Sequence, residues 1–505
     1  MAYVIGIDGG TESVRSFVFD LEGRPKGIGV VSYPTAFPEP AQAEQNPDDW
    51  WQALGKATQQ ALQAASVTPD EIDAISVDTT SCSVATFDQE MKPLRPTLIW
   101  MDVRAADEAA DVAATGDPAL RLNSAGKGPV SAEWMIPKAL WIKRHQPAIY
   151  AKAHAICEYQ DYINYRLTGR YVGCLNNVSI RWHWINREKP ASLLSCLGLE
   201  DLAEKWPEEI VAPGDPIAEL TREAATHLGL KAGTPVIQGG ADGFIAIIGL
   251  GVTDPGQLGL ITGSSHLQLA VTDRVFHRPG LWGAYADCVY RGSAVLEGGQ
   301  TSTGSVIKWF TSNFVAGTDY NELNRAAAEI PPGADGLLAL DHFQGNRTPY
   351  IDPKSRGALV GLSLAHRPAH VFRAIIEGIC FGTEAVLRVF QNEDFRIKEA
   401  VVCGGAVRSP LWLQIHADVS GLPLTITELP DASVLGSGIL AAYGAGHFKS
   451  IQEACRAMVH RSSVVEPNQK NHAVYRELFA GYEKLYHATV DVRAAAAGGK
   501  GDEGI

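Results

Sequence analysis

Two stretches half a chain apart carry the same run of apolar and polar positions. Residues 5–20, IGIDGGTESVRSFVFD, and residues 258–271, LGLITGSSHLQLAV, each lead an apolar segment into a glycine with a hydroxyl residue after it, then alternate apolar and polar residues. That pattern predicts two half-buried strands joined by a tight turn. Gly10 and Thr11 in the first copy correspond to Gly263 and Ser264 in the second. The repeat predicts two α/β lobes, residues 1–245 and 246–492, followed by a disordered tail over 493–505. Because glycine lets backbone N–H groups come close to an anion, two such turns facing each other across a cleft can hold the phosphates of one nucleotide.

The segments between them fill in each lobe. NPDDWWQALGKATQQALQAA has helical apolar spacing, with Asn46 as its cap and Asp48 and Asp49 in the first turn. A strand, AISVDTTS at residues 74–81, comes next. Residues 107–205 read as a mostly helical, irregular insertion that carries specificity and holds Trp134, Trp141, Trp182 and Trp184. VIQGGADGF then closes the first lobe. In the second, LEGGQTSTGSVIKWF is glycine-rich, and HVFRAIIEGICFGTEAVLRVF, just after Pro368, predicts a helix. KEAVVCGGAVRSPLWLQIHADVSGLPL predicts strand, turn and helix, with Ser409 as N-cap and Pro410 at the first helical position. The turn before that helix aims backbone donors at whatever lies over its start.

Size and charge narrow the function classes. A chain of 505 residues exceeds what one hydrophobic core supports, and 46% hydrophobic and 20% charged residues match a soluble globular protein. A net charge of −14 argues against a nucleic-acid partner, which needs a basic stripe. No apolar run reaches the ~18 residues of a membrane span. The 8 cysteines include no C-x-x-C pair and no cysteine–histidine ligand spacing, so reduced, mostly buried thiols in a cytoplasmic protein are expected. The first strand begins close to Met1, which leaves no room for an export signal. HRPAH at residues 366–370 precedes a helix without a third ligand and reads as a solvated loop rather than a metal site.

Six motifs then occur in the order of one family: GIDGGTESVRS at the start, LIWMDVR at 98–104, GGADG at 239–243, ITGSS at 261–265, RGALVGL at 356–362 and GGAVRSPLWLQIHADVSGLPL at 404–424. With them the chain resembles, over nearly its whole length, the FGGY carbohydrate kinases of the actin, hexokinase and heat-shock ATPase superfamily. The resemblance implies two duplicated actin-like, ribonuclease H-like ATPase lobes, with mixed sheets flanked by helices around a central cleft. It implies ATP and Mg²⁺ as cofactors and a small sugar as substrate. Asp8 is implied to position the metal and phosphates, with Gly10 and Thr11 approaching the transferred group. Thr262, Gly263 and Ser264 match the turn that holds the nucleotide's phosphates, and Gly304 and Lys308 match positions lining the nucleotide site. Gly404, Gly405 and Ala406 suit a backbone platform under adenine. Ser409 stands where many relatives have asparagine, so an adenine contact and a helix cap are equal readings of it.

Asp242 matches the family's catalytic base and, with Asp8, lies near the implied metal. The chemistry needs a carboxylate there: a sugar hydroxyl is a poor nucleophile until a group within hydrogen-bond reach accepts its proton. Alone, each motif has a plainer reading, a simple hairpin for D-G-G-T and a local cap for Asp242; the shared order of all six favours the kinase reading.

Three details resemble ribulokinases more than glycerol or xylulose kinases: TESVR at 11–15, TSCS at 80–83 and Glu297 in LEGGQTSTG. A fourth is EWMIPKALW, where Lys138 stands where ribulokinases present a lysine to the ketose. Lys138 and Glu297 are expected to read sugar oxygens, which rejects analogues lacking them better than an apolar wall does; a solvated Glu133–Lys138 pair and a turn cap at Glu297 are the plainer alternatives. Ser81 is expected to face the sugar by side chain or backbone, and Asp102 and Arg104 are read as an ion pair ordering the cleft wall. The resulting expectation is an ATP-dependent ketopentose kinase, a ribulokinase acting on the terminal hydroxyl, with a homodimer as the prior for assembly. The alternatives are the same chemistry on xylulose, erythritol or glycerol, and a nucleotide switch of the actin or chaperone kind.

Overall fold

The duplicated hairpin forms twice. In the computed structural model, which describes residues 2–497, β1 (Tyr3–Gly9) and β2 (Ser13–Asp20) pair antiparallel, with Asp8 opposite Arg15. With β3 (Pro25–Ser32), β4 (Ile72–Thr79), β5 (Pro216–Glu219) and β6 (Pro235–Ala241) they make a six-stranded mixed sheet in the order β5-β6-β4-β1-β2-β3. The second sheet contains β7 (Gln257–Thr262), β8 (His266–Thr272), β9 (Gly283–Ala286), β10 (Ala294–Gln300), β11 (Glu399–Gly404), β12 (Leu424–Thr427) and β13 (Arg461–Val465), in the order β9-β10-β8-β7-β11-β12-β13.

Strand direction makes the repeat explicit. In the first sheet β1 pairs antiparallel with β2, β2 antiparallel with β3, β1 parallel with β4, β4 parallel with β6, and β6 antiparallel with β5. Replacing β1, β2, β3, β4, β6 and β5 by β7, β8, β10, β11, β12 and β13 reproduces every pairing and every direction. The fold is thus the expected pair of actin-like α/β lobes, and β9 is an extra edge strand on the second.

Helices cover and connect the sheets. They include α1 (Pro47–Ala65), α2 (Met135–His145), α3 (Leu175–Arg181), α4 (Asp242–Gly249), α5 (Gly304–Phe314), α6 (Pro368–Phe390), α7 (Pro410–Ser420), α8 (Ala432–Gly444) and α9 (Gln469–Ala497). The caps follow the sequence: Asn46 accepts from Asp48 N, and Ser409 Oγ accepts from Trp412 N. Pro368, read as lying ahead of its helix, is the first residue of α6. Residues 107–205 are the irregular helical insertion expected, with Trp134, Trp182 and Trp184 buried.

The two lobes share helices. α8 lies in the connection from β12 to β13 of the second sheet yet packs on β1 and β4 of the first, alongside α4. Such close approach requires glycine: a Cβ on Gly6 would lie 2.2 Å from Val434 O. Residues 493–497, expected to begin a disordered tail, continue α9, and Arg493 Nη2 donates to Asp352 Oδ2 at 2.6 Å. The rest of that tail, 498–505, lies outside the described residues. All cysteines are free, and all but Cys196 are buried. Among the described residues no helix is long and apolar enough to cross a membrane.

Candidate active site

Three parallel strands of the first lobe end together. Gly9 stands opposite Thr79 and Thr79 opposite Ala241, so Gly10–Thr11, Thr80–Ser81 and Asp242 leave the sheet along one edge. Open α/β sheets bind ligands at the carboxyl ends of their parallel strands. The loops are tied to each other here: Thr80 N donates to Gly9 O at 3.0 Å. Gln45 Nε2 reaches Thr11 O at 2.7 Å, Trp100 Nε1 reaches Thr11 Oγ1 at 2.9 Å, and Tyr33 OH donates to Gly10 O.

Asp8 lies at the floor. Its side chain is 1% exposed and paired with Arg15, a neighbour fixed by the hairpin register, while Ser433 Oγ donates to Asp8 Oδ2 at 3.2 Å. Asp8 Oδ1 has no partner. Asp78 is buried on the adjacent strand, and Ser437 Oγ, one turn after Ser433 on α8, donates to Asp78 Oδ2 at 2.6 Å. Burial and the charge of Asp8 push the Asp78 carboxyl well above the usual carboxylate range. Asp242 begins α4, half-buried, with Gly243 N donating to its Oδ1 at 2.7 Å. Desolvation, aided by the charge of Asp8, pushes Asp242 up to about 7.

The second lobe repeats the edge. Thr262 stands opposite Gly404 where β7 and β11 end. Thr262 Oγ1 donates to Cys403 O at 2.6 Å and accepts from Ala406 N at 3.0 Å, fastening one glycine turn to the other. Gly404 has φ +89°, and a Cβ there would lie 1.8 Å from Thr262 O. Gly263 and Ser264 are exposed and dock on the start of α5, where Thr303 N donates to Ser264 O at 2.8 Å and Gly304 N to Gly263 O at 3.2 Å. Lys308 is exposed one turn further along α5, and Gly405 is exposed while Ala406 is buried.

A cavity of about 320 Å³ joins the lobes, lined by Asp8, Arg15 and Asp242 from the first and Ile261, Gly404 and Asp431 from the second. Of the predicted residues it brings Asp8, Asp242 and Gly404 together; none of the others, neither the turn residues Gly10, Thr11, Thr262, Gly263 and Ser264, nor Gly405, Ala406 and Ser409, nor Ser81, Lys138, Glu297, Gly304 and Lys308, is in its walls. A larger cavity, about 850 Å³ between Asn46, Arg95, Tyr162 and Glu223, contains none of the predicted site residues.

Three expectations need correction. Lys138 is neither solvated nor free for a sugar: its ammonium is buried and donates to the carbonyls of Cys82 at 2.8 Å, Leu98 at 3.3 Å and Ile99 at 2.7 Å, which uses all three protons. Burial pulls its pKa down to about 8. Glu297 is not a turn cap, and both its oxygens are engaged, by Arg181 at 2.6 and 2.9 Å and by Tyr285 OH at 2.9 Å. Ser409 is fully buried, caps α7 and donates to Asn324 Oδ1 at 2.5 Å, so the cap reading holds and its one proton is spent within the fold. Asp102 and Arg104 do form the expected ion pair, at 2.7 Å, with Asp102 Oδ2 also accepting from Ala43 N.

Sequence reasoning missed Arg15, Asp78, Arg181 and Asp431. Arg15 carried a signal, since alternation puts it on the same side of the hairpin as Asp8. Arg181 lay unremarked among the insertion's tryptophans, and its partner is 116 residues away.

The FGGY family of carbohydrate kinases matches the chain twice, through its N-terminal domain over residues 3–249 and its C-terminal domain over residues 258–445. A ribulokinase from Geobacillus thermodenitrificans is 31% identical over 96% of this chain and 94% of its own. A xylulose kinase from Bacillus subtilis is 28% identical over 98% and 99%. The crystal structure of xylulose kinase from Rhodospirillum rubrum superposes with a TM-score of 0.88 at 26% identity, covering 97% of this chain and 99% of that one. The chain belongs to the FGGY family of carbohydrate kinases.

Proposed function

We propose that this kinase transfers the γ-phosphoryl group of ATP to the terminal hydroxyl of ribulose, giving ribulose 5-phosphate and ADP. The observation that carries the reading is the cavity in which Asp8 and Asp242 of one lobe face Gly404 of the other. Asp242 takes the acceptor proton as the phosphoryl group leaves ATP, and a pKa of about 7 suits a base working near neutral pH. Donors from Thr11 and Ser264, with Arg15, stabilise charge on the group in transfer, while the N–H groups of Gly10 and Gly263 close the two turns, donating to Ser13 O at 3.1 Å and Ser265 O at 2.9 Å. Gly404 and Gly405 form the backbone platform under adenine, and Gly304 and Lys308 flank the phosphates.

The residues fit a magnesium ion. Asp8 Oδ1 is buried without a partner, and among the described residues no set of three or more His, Cys, Asp or Glu side chains forms a cage of its own. Mg²⁺ is commonly held by one or two carboxylates together with substrate phosphates and water, so Asp8 and Asp242 would hold it, and it would neutralise phosphate charge.

The TESVR and TSCS motifs support ribulose, and Ser81, at the strand edge beside Asp242, is the candidate acceptor contact. The lobes divide at residues 245/246, with the acceptor on the first and the nucleotide on the second. The protein works in the cytoplasm as a homodimer. An ADP-coupled panel of both ribulose enantiomers, xylulose, erythritol and glycerol tests the reading: the highest kcat/KM is expected with one ribulose enantiomer. ATP hydrolysis indifferent to every sugar would replace it with a nucleotide switch.

A further inference from the structure

The 80–83 loop is gripped from both sides by buried charge. Cys82 has a left-handed backbone, φ +63°, which a residue with a Cβ adopts only at a cost. Its N–H donates to Glu158 Oε2 at 2.9 Å, and its carbonyl accepts from Lys138 Nζ at 2.8 Å. Both side chains are 0% exposed. The other oxygen of Glu158 accepts from Trp182 Nε1 at 2.7 Å, which fixes the carboxylate from behind. The remaining protons of Lys138 go to the carbonyls of Leu98 and Ile99, immediately before Trp100, whose indole reaches Thr11. Ser81, half-buried, is therefore suspended between Thr80, bonded to Gly9 O, and the clamped Cys82.

We propose that Lys138 and Glu158 are specificity-determining positioning residues: by holding Cys82 in its left-handed backbone they set the direction in which Ser81 and its loop meet the acceptor sugar. The inference rests on the sugar-kinase reading above. Lys138 and Glu158 are not hydrogen-bonded to each other: the partners of Lys138 Nζ are carbonyls, and those of the Glu158 carboxylate oxygens are Cys82 N and Trp182 Nε1. Here each charge takes one polar group of the same strained residue, at the strand edge next to Asp242, and the geometry so fixed is that of a backbone.

Lys138→Met removes the donor while keeping the length of the side chain. The KM for the best sugar of the panel is expected to rise about tenfold or more, the scale of a lost buried hydrogen bond, while the KM for ATP moves by less than about twofold. Glycine occupies the left-handed region freely, so adding Cys82→Gly to Lys138→Met recovers about threefold or more of that loss. Glu158→Gln, which can accept only one of the two hydrogen bonds, carries the same expectation should Lys138→Met fail to fold. A sugar KM unchanged in the folded variant, or sugar and ATP KM values rising in parallel, overturns the proposal. Wild-type protein that turns over no sugar of the panel fails at an earlier step, and overturns the kinase reading itself.

Discussion

Arg15 of the first lobe meets Asp431 of the second across the cleft, with Arg15 Nη1 2.6 Å from Asp431 Oδ1. The same guanidinium pairs with Asp8, so one side chain joins the floor of the first lobe to the start of α8. The Arg15 side chain is 36% exposed and Asp431 28%, and pairs this accessible contribute only ~0–1 kcal/mol to stability. The contact is better understood as a competitor for an entering triphosphate, which would offer the guanidinium a stronger, bidentate partner.

Removing that competitor should help ATP, and removing the arginine should hurt it. Asp431→Asn is expected to bind ATP as tightly as wild type or a few-fold tighter, while Arg15→Met loses about tenfold, the scale of one charge-assisted hydrogen bond. Titration calorimetry with ATP reads both. Equal affinities in wild type and Arg15→Met would remove Arg15 from the phosphate site.

Gly404 is where backbone shape itself makes the site. With φ +89° and the Thr262 carbonyl where a Cβ would go, Gly404→Ala must both leave a left-handed conformation and push the two glycine turns apart. Strain of this kind costs about 1–3 kcal/mol. Gly404→Ala should therefore lower the urea midpoint and weaken ATP binding, whereas Gly405→Ala, next to open space, should do neither. Matching behaviour of the two alanine variants would refute the platform.

Both glycine turns were legible in the sequence because a tight turn between strands needs its residues in consecutive order, and duplication printed the pattern twice. Ser409 and Pro410 were legible for the same local reason. Lys138 and Glu297 read from the sequence as sugar contacts, whereas the groups that engage them in the fold are distant in sequence: Leu98 and Ile99 lie 40 and 39 residues before Lys138, and Arg181 lies 116 residues before Glu297. No periodicity or spacing encodes such pairings. Asp78 was hidden differently, as an aspartate inside an apolar strand whose partner Ser437 comes from a helix of the other lobe.

Glu297 now predicts a stability effect. Breaking a buried ion pair leaves an uncompensated charge and costs about 3–5 kcal/mol, whereas replacing both partners by apolar residues is often neutral. Glu297→Ala should lower the urea midpoint strongly, and Arg181→Met/Glu297→Leu should recover much of that loss. If Glu297→Ala instead unfolds like wild type while its sugar KM alone rises, Glu297 contacts sugar and its pairing with Arg181 is incidental.

Asp242 links pH to both rate and stability. Its folded-state pKa, about 7 against 3.8 for an ordinary aspartate, is raised by desolvation first and by Asp8 second. A base must be ionised to take the acceptor proton, so kcat/KM should climb with pH through about 7 and level off above it. Asp242→Asn should lose ~10²- to 10⁴-fold in kcat, together with that acidic limb. The stability sign is opposite. A carboxyl whose folded pKa lies above its unfolded value favours the native state while protonated, and that contribution is lost as pH rises from 3.8 to about 7. Asparagine carries no such penalty, so Asp242→Asn should melt above wild type at pH 8, where the native carboxylate is ionised, and the gap should narrow toward pH 5. A variant that is slow at every pH yet melts below wild type at pH 8 would mean that the carboxylate serves the fold, and the base would have to be sought elsewhere in the cleft.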